Sequence, residues 1–359
     1  MIFSGSYRSD DVSFLLKPLD LAHFVDVPHK ELLIQSGQRH YSEMLSPESL
    51  PSERYLSLFR QACEANLGRM ARDCLTLASL IAQRRDGPVT LVSLARAGTP
   101  VGVVLKHLLT TVMGRETVHY SVSIIRDRGI DQVALEHILA QGHAPESIVF
   151  VDGWTGKGVI SRELEAAVGA FNAHHGTRID GGLYVLSDLA GSAACAASCD
   201  DYLIPSSILN ATVSGLVSRS ILNEQIGPGD FHGCVYYRQF EAHDQSQRFA
   251  DELVARALGM APQAAAPVER AQAAAISQAY MRSALAQHGI ADANMVKPGI
   301  GEATRVLLRR SPRLLILRDA AAPDVAHLVL LAQEKNIPVA VDPDLPYHAV
   351  SLIRSALDG

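Results

Sequence analysis

Residues 147–161 read SIVFVDGWTGKGVIS, and this stretch decides the fold class of the chain. The apolar run IVFV predicts a strand that is buried on both faces, and the run ends on a single carboxylate, Asp152. Three glycines follow within six residues, and a helical pattern begins at about Val159. Glycine lets the chain turn tightly and approach a ligand closely. A strand, a glycine-rich loop and a helix in this order are typical of parallel α/β proteins.

The same alternation continues on both sides of this unit. Helical patterns of about ten to fifteen residues separate apolar runs, which implies right-handed crossovers and a parallel sheet. The fold class is therefore α/β over residues 88–205. The predicted strands lie at 89–94, 116–125, 147–153, 181–188 and 200–205, and the predicted helices lie at 51–81, 99–114, 130–142 and 159–175.

The flanking segments divide the chain into three parts. Residues 1–256 form the α/β domain, with an irregular N-terminal lobe and an accessory cap at 206–250. Residues 257–287 are an Ala/Pro-rich linker that leads into a helix. Residues 288–359 alternate helix and strand, which predicts a small α/β/α domain that ends in a helix at 347–357.

Composition excludes several classes of protein. With 48% hydrophobic residues in 359, the chain can bury a normal core, and its net charge of −6 gives no overall nucleic-acid signal. No apolar run is long enough for a membrane helix, and the charged N-terminus does not resemble a secretory signal. Five cysteines are too few for a disulfide scaffold in a chain of this length, so we expect a reducing, cytoplasmic setting without membrane contact.

The loop after Asp152 has the features of a phosphate-binding site. Free N–H groups at the start of a helix favour a phosphate. Asp152 can accept hydrogen bonds from ribose hydroxyls, or hold Mg²⁺ together with other ligands. The loop lacks the spacing of a nucleotide-triphosphate P-loop and of the GxGxxG dinucleotide fingerprint. We therefore predict a sugar-phosphate site, and an ordinary glycine-rich turn is the alternative.

Two arginine-bearing segments could complete such a site. Arg96, Ala97 and Gly98 lie in LARAG at the end of the strand at 89–94, where a small-residue loop with one arginine suits a second phosphate. Arg126 and Arg128 follow the next strand and could reach over an anionic ligand. A solvated charged loop is the alternative interpretation of both segments.

Together these motifs resemble the type I phosphoribosyltransferase fold, in which an apolar strand leads into two acidic residues and a glycine/threonine loop. The resemblance implies that Asp152 contacts ribose and metal, that residues 155–158 hold a 5′-phosphate, and that residues 96–98 form a pyrophosphate loop. Gly153 and Trp154 depart from the pattern, because Gly153 stands at the second acidic position. The implied substrate-binding residues are Asp152, Gly153, Trp154, Thr155, Gly156, Lys157, Gly158, Arg96, Ala97, Gly98, Arg126 and Arg128.

A closer resemblance is to the bacterial StiP family, whose members are described both as cysteine proteases and as phosphoribosyltransferase-like proteins. It spans about residues 1–250 and is carried by SGQRHYSEMLSPE, DGWTGKG, DYLIPSSILNATVSGLVSRS and DFHGCVYY. The C-terminal unit, with KPGIGEATRVLLRR, resembles the Pelota-type RNA-binding domain. Family members resemble components encoded near tellurite-resistance and stress-response genes, which implies a role in making a nucleoside-like compound.

A thiol nucleophile is the alternative enzymatic hypothesis. Cys195 and Cys199 lie among small residues in GSAACAASCDDY, and Cys234 lies two residues after His232 in FHGC. A catalytic thiol needs a base and an orienting group nearby in space, and spacing alone does not choose a histidine. The alternative for each cysteine is a small buried hydrophobic residue.

Basic residues and glycines in the C-terminal unit predict an RNA-backbone patch. Lys297, Gly299 and Gly301 lie at a helix start, which suits phosphate, and Arg305 and Arg309 follow on the helix. Aromatic residues for base stacking are missing from this segment. A solvated helix face is the alternative interpretation.

The function predicted from these patterns is a phosphoribosyltransferase-like enzyme. It would bind phosphoribosyl pyrophosphate with Mg²⁺, and a base or amine would attack the anomeric carbon while Arg96 and backbone amides stabilise the departing pyrophosphate. The alternatives are a cysteine peptidase and a non-catalytic, nucleotide-sensing RNA-binding protein. The sequence identifies neither the catalytic base nor the acceptor, and a homodimer is compatible with each reading.

Overall fold

The structure is a computed structural model, and it describes residues 2–20, 24–261 and 269–354. The strands are β1 (Ser13–Leu15), β2 (Lys17–Pro18), β3 (Val89–Ala95), β4 (Thr117–Ile125), β5 (Gly129–Ile130), β6 (Ile148–Thr155), β7 (Leu183–Asp188), β8 (Cys195–Ser198), β9 (Gly233–Cys234), β10 (Val296–Pro298), β11 (Pro312–Leu317), β12 (Val339–Val341) and β13 (Ala349–Ile353). The helices are α1 (Val27–Gln35), α2 (Glu53–Arg84), α3 (Thr99–Thr111), α4 (Gln132–Ala140), α5 (Val159–His175), α6 (Ser246–Leu258), α7 (Arg270–His288), α8 (Ile300–Arg309) and α9 (Ala326–Glu334).

The larger sheet has seven strands in the order β1-β4-β3-β6-β7-β8, and β5 pairs with β4. Every pairing along the main path is parallel, and β5 alone is antiparallel to its neighbour. We call the part of the chain before residue 262 the sheet domain. From β3 the chain continues to β4 on one side, and from β4 it crosses to β6 on the other. The adjacent strands β3 and β6 therefore flank the switch point, where open α/β sheets bind ligands.

Helices cover both faces of this sheet. On one face, α2, α3 and α6 pack against one another and share a buried cluster with Leu91 and Val151 of the strands. On the other face, Leu135 of α4 and Phe171 of α5 belong to a second buried cluster with Phe150. The strands are buried on both faces, as their continuous apolar runs predict. The predicted α/β class with a helix-covered parallel sheet is confirmed.

Local sequence signals explain where the helices begin and end. The Ser52 hydroxyl accepts a hydrogen bond from the Tyr55 N–H at the start of α2, and Asp131 does the same for Ala134 at the start of α4. α2 continues without interruption through Gly68. α5 ends at Gly176, whose φ of 66° is the left-handed conformation that glycine adopts without strain.

The C-terminal domain, residues 269–354 of the described chain, has a four-stranded sheet in the order β10-β13-β11-β12. β11 and β12 are parallel, and the other pairs are antiparallel. Ala284 of α7 packs on one face with Tyr347, while Leu307 of α8 and Leu328 of α9 pack on the other. The predicted small α/β/α unit is confirmed, and the boundaries at residues 256 and 287 stay predictions.

Two predicted elements are wrong. Residues 200–205 do not form a strand, because Tyr202 turns inward to donate a hydrogen bond to Asp73 (2.8 Å) and the strand is instead β8, just before them. The predicted final helix at 347–357 is β13 as far as Ile353, and residues 355–357 lie outside the described part. All five residues of β13 are buried because this strand fills the centre of the small sheet between β10 and β11.

The C-terminal domain packs on the carboxyl edge of the large sheet. The Asp201 carboxylate accepts hydrogen bonds from the N–H groups of Ile300 (2.7 Å) and His348 (2.8 Å). Buried Ile300 and Leu307 join the same apolar cluster as the side chains of α2 and α3. Among the helices of the described residues, none has both the length and the apolar character needed to cross a bilayer.

Candidate functional site

A cleft of about 390 Å³ lies where the two domains meet at the carboxyl end of β6. We call it the interdomain cleft. The sheet domain contributes Arg126, Asp152 and residues 154–160, and the C-terminal domain contributes Asn294, Lys297, Glu302, Arg305, Val306 and Arg310.

The loop between β6 and α5 forms one wall of the interdomain cleft. Thr155 is buried at the end of β6, and its hydroxyl accepts a hydrogen bond from the Gly158 N–H at 3.0 Å. Gly158 has a φ of 69°, so the chain turns left-handed directly before α5, which favours glycine. No side chain caps α5, so the N–H groups of its first turn stand at the cleft wall formed by Val159 and Ile160.

Asp152 lies at the base of the cleft. Its carboxylate accepts a hydrogen bond from the Gly153 N–H at 2.7 Å. Burial raises the pKa of Asp152 to about 6, although Gly153 and the nearby Arg305 act in the opposite direction. A side chain at Gly153 would meet only the Ile204 methyl group at 3.8 Å, so space is not the reason why a second carboxylate is missing.

Two lysines from different domains face each other across the cleft. The Lys157 ammonium donates to the Ala293 carbonyl at 2.7 Å. Burial and the neighbouring Lys297 lower the pKa of Lys157 to about 8. Burial also lowers the pKa of Lys297, whose ammonium lies 3.8 Å from Glu302. The like charges are therefore close enough to influence each other.

Arg305 and Glu302 complete the wall from the C-terminal domain. The Arg305 guanidinium stacks 4.4 Å above the Trp154 ring, and it lies 3.2 Å from the Glu302 carboxylate. Burial acts to raise the pKa of Glu302, but Arg305, Lys297 and Lys157 together hold it below its usual value. Sequence reasoning missed both Glu302 and Asp201. Glu302 also acts on Lys157 and Asp201 binds Ile300, and each of these contacts joins the two domains.

Arg96, Ala97 and Gly98 do not join the cleft. The Arg96 guanidinium is held 2.7 Å from Glu48 and donates to the Val217 carbonyl, also at 2.7 Å. A side chain at Gly98 would lie 2.7 Å from the Val151 carbonyl, so this glycine allows close packing of the loop on β6. Arg96 is thus engaged by the protein itself, a contact that the sequence did not predict.

The two arginines after β4 have different environments. Arg126 lines the cleft, and its backbone N–H donates to the Tyr41 hydroxyl at 2.7 Å. Arg128 pairs with Glu43 at 3.3 Å instead, with a half-exposed side chain.

Mg²⁺ stays an untested expectation, and the side chains that line the cleft do not favour it. Among the described residues, no group of three or more carboxylate, imidazole or thiol side chains could hold a metal ion.

Four of the residues predicted to bind RNA lie at the junction with the sheet domain: Lys297, Gly299, Gly301 and Arg305. Gly299 precedes α8 beside Asp201, and a side chain at Gly301 would lie 3.1 Å from the Trp154 ring. Lys297 and Arg305 line the cleft, and the side chain of Arg309 lies outside the described part of the structure. An RNA that uses Lys297 or Arg305 would therefore have to enter the cleft.

The five cysteines differ sharply in exposure. Cys74, Cys195 and Cys234 are buried, Cys63 is partly exposed, and Cys199 is exposed. Burial raises the pKa of every one of these thiols, to about 12 for Cys234. Among the described residues, none of the imidazole rings hydrogen-bonds a thiol; His232 contacts Ser123 at 2.8 Å. Cys199 is the candidate thiol that a substrate can reach without unfolding the core.

The fold and the site together define a two-domain α/β protein with a charged cleft where the domains meet. The chain belongs to the family described as tellurite-like stress resistance cysteine protease StiP, whose sequence model matches residues 5–254. A model described as a PELOTA RNA binding domain matches residues 275–355. A protein of Acinetobacter baylyi (strain ATCC 33305 / BD413 / ADP1) named Cysteine protease StiP is 44% identical over 98% of this chain and 94% of its own length. The family match and this similarity identify the chain as an enzyme.

Two solved structures give weaker similarities. The Helicobacter pylori xanthine-guanine-hypoxanthine phosphoribosyltransferase is 20% identical, with a TM-score of 0.27 over 36% of this chain and 79% of its own. N-succinyldiaminopimelate aminotransferase from Mycobacterium tuberculosis is 10% identical, with a TM-score of 0.23 over 92% of each chain. Scores this low carry no argument about activity.

The prediction that the chain is a phosphoribosyltransferase is wrong. The family and the similar A. baylyi protein are both named for a cysteine protease, which was the alternative hypothesis. The physical reasons lie in two residues of the expected site. Gly153 leaves Asp152 without a second carboxylate, and the ion pair with Glu48 occupies Arg96, which was expected to stabilise the pyrophosphate.

Proposed function

We propose that this protein is a cysteine peptidase and that Cys199 is its nucleophile. The observation that carries the activity is the 44% identity, over nearly the whole chain, to a protein named a cysteine protease. Cys199 is proposed because the other four cysteines are less accessible: three are buried and one is partly exposed. Nucleophiles that act on a polymer substrate must be reachable from solvent.

The position of Cys199 supports this choice. It directly follows β8, so it lies at the carboxyl edge of the parallel sheet, where α/β proteins place their functional groups. The two residues after it, Asp200 and Asp201, lie beside the contact between the domains. Peptide cleavage there would begin with attack of the Cys199 sulfur on the scissile carbonyl carbon. The C–N bond breaks, the amine leaves with a proton, and water then hydrolyses the thioester.

The thiol must lose its proton for this chemistry. Burial, Asp200 and Asp188 all raise the pKa of Cys199, so the free enzyme holds it as a thiol at neutral pH. The proposal therefore requires that the bound substrate supplies or completes the basic environment. Alkylation of Cys199 by iodoacetamide in the free protein should therefore be slow at neutral pH and should speed up as the pH rises.

Peptidase activity on a casein-derived peptide mixture tests the proposal. Cys199→Ser should abolish thiol-dependent cleavage, and Cys195→Ser, a change of the same kind four residues earlier in a buried position, should retain it. Circular dichroism must show that both variants fold like the wild type. Wild-type cleavage rates in Cys199→Ser would rule out this nucleophile, and the same result in serine variants of all five cysteines would rule out a thiol peptidase.

A second candidate function is RNA binding by the C-terminal domain. It is favoured by the match of residues 275–355 to an RNA-binding family and by the basic side chains of Lys297 and Arg305 at the cleft. Filter binding of the full chain to a structured RNA at several salt concentrations tests it. Affinity should fall as salt rises, and the slope should be smaller in Lys297→Gln. Salt-independent retention would show that the binding does not involve phosphates.

A further inference from the structure

The interdomain cleft contains more positive than negative charge. Its charged lining consists of five basic side chains and two carboxylates. The carboxylates, Asp152 and Glu302, are already neutralised in part by Arg305, which acts on both. The basic groups come from both domains and outnumber the carboxylates five to two in one cavity. Like charges in a shared, partly dry cavity repel each other, and such an arrangement is retained where an anion relieves the repulsion.

Some donor groups beside the cleft have no acceptor in the protein, and those at the start of α5 face the cleft. The Nε atoms of Arg126 and Arg305 are buried without a hydrogen-bond partner. The start of α5 has no side-chain cap, and its first turn lies on the cleft wall. The uncapped N–H groups of α5 can donate to an oxyanion in the cleft, and the cationic side chains around it add their charge.

We propose that the interdomain cleft binds a phosphate monoester and that both domains hold it at once. The loop after β6 contributes Lys157 and the N-terminus of α5, and the C-terminal domain contributes Lys297 and Arg305. The ester is either a free mononucleotide or the terminal phosphate of an RNA. The site is independent of Cys199, so it stands or falls separately from the peptidase proposal.

Charge and volume favour this class of ligand over a carboxylate. A phosphate monoester carries about −1.5 to −2 charges at neutral pH and has three acceptor oxygens, which matches a cleft with several excess positive charges better than one carboxylate does. A cavity of about 390 Å³ is at the small end of the range for ligand sites, which suits a mononucleotide or one terminal residue of a chain. Trp154, with Arg305 stacked on its ring, borders the cleft beside the space left for the rest of the ligand.

The ligand would also bridge the domains. Lys157 already contacts the Ala293 carbonyl of the C-terminal domain, and a side chain at Gly156 would lie 3.2 Å from the Pro298 carbonyl. A bound anion between Lys157 and Lys297 would replace their repulsion with two attractions. Binding should therefore raise the stability of the docked arrangement, and the gain should grow with the logarithm of the ligand concentration above the dissociation constant.

Trp154 makes the test direct, because it is the one tryptophan in the sequence and it lines the cleft. The intrinsic fluorescence of the full chain is titrated with adenosine 5′-monophosphate, adenosine, a 5′-phosphorylated RNA decamer and its 5′-hydroxyl twin. The phosphorylated probes should change the emission with saturation, and the probes without a terminal phosphate should bind at least about tenfold more weakly. Tighter binding of the nucleotide or of the decamer identifies the source of the phosphate.

The affinity for the phosphorylated probes should fall at least about tenfold in Lys157→Gln and in Lys297→Gln, because each substitution removes one charged hydrogen bond to the phosphate. Arg248→Gln, which removes an exposed positive charge on α6, is the matched control and should bind like the wild type. Equal affinity for adenosine and its monophosphate, or wild-type affinity in both lysine variants, would overturn the proposal.

A measurement on the wild type covers the case in which a variant fails to fold. Reductive methylation of lysines is followed by mass spectrometry with and without adenosine 5′-monophosphate. The nucleotide, and not adenosine, should protect Lys157 and Lys297. Unchanged methylation of both lysines at saturating nucleotide would likewise overturn the proposal.

Discussion

Replacing Asp201 with alanine should weaken the docking of the C-terminal domain on the sheet domain. The carboxylate of Asp201 accepts one hydrogen bond from the Ile300 N–H at 2.7 Å and another from the His348 N–H at 2.8 Å. Both donors belong to the C-terminal domain, and Ile300 begins α8. A single side chain therefore caps a helix of one domain from the other domain.

The size of the effect follows from these two contacts. A hydrogen bond to a charged group contributes about 1.5 kcal/mol or more. Alanine removes both bonds and leaves two N–H groups without acceptors, so the docked state should lose about 3 kcal/mol. For a unit the size of the C-terminal domain, with a urea dependence of about 1.5 kcal/mol per molar, the transition should move by about 2 M urea.

Urea unfolding followed by Trp154 emission measures this directly, because Gly301 of α8 lies against the indole. Asp201→Ala should show an early transition with red-shifted emission, as water reaches Trp154 when α8 departs. Asp200→Ala is the matched control. Its carboxylate is half-exposed and pairs with Arg69, so its loss should cost under about 1 kcal/mol. Identical transitions and emission maxima in the two variants would refute the reasoning.

Three further predictions concern charge. Burial raises the folded-state pKa of Asp152 from 3.8 to about 6, so its stabilising contribution is present below about pH 4 and is lost as the pH rises through 6. The free energy of unfolding of Asp152→Asn, measured in urea, should therefore rise by about 1–2 kcal/mol relative to that of the wild type between pH 4 and pH 8, after allowance for water in the cleft. Glu48→Gln leaves Arg96 without its carboxylate at a site where both side chains are mostly buried, and thermal unfolding should show a loss of about 3 kcal/mol. Because the pKa of Lys157 is about 8, this side chain loses its positive charge between pH 7 and pH 9. Fluorescence titration should show that the affinity of the wild type for a phosphate monoester falls across that interval, and that the affinity of Lys157→Gln changes less.

Much of the sheet domain could be read from periodicity. The apolar runs that became β3, β4, β6 and β7 are bounded by glycine or charged residues, and burial on both faces forces them to be continuous. The periodicity of apolar residues did not predict the edge strand β8 or the central strand β13. β8 contains small residues with no apolar run, and AVSLI in β13 is too short to separate helix from strand by pattern alone.

The candidate site also has one part that the sequence predicted and another part that it did not. The loop after Asp152, with its glycines and Lys157, was recognisable because neighbouring residues along the chain create it. Arg96 was predicted to face a ligand. Its guanidinium instead forms an ion pair with Glu48, because folding brings the N-terminal lobe over the end of β3. Contacts between residues so far apart in the chain leave no spacing pattern that could be read.

The sequence by itself determined the α/β class, the second domain, the family and the glycine-rich loop at a strand end. Each of these depends on short-range order: the period of apolar residues, the turn that glycine allows, or a motif of adjacent residues. Only the tertiary structure decided that Lys297, Glu302 and Arg305 face Lys157 and Trp154, and that Cys199 is exposed while Cys195 is buried. Burial and the charge around a group depend on what packs against it, and those neighbours come from segments far apart in the chain.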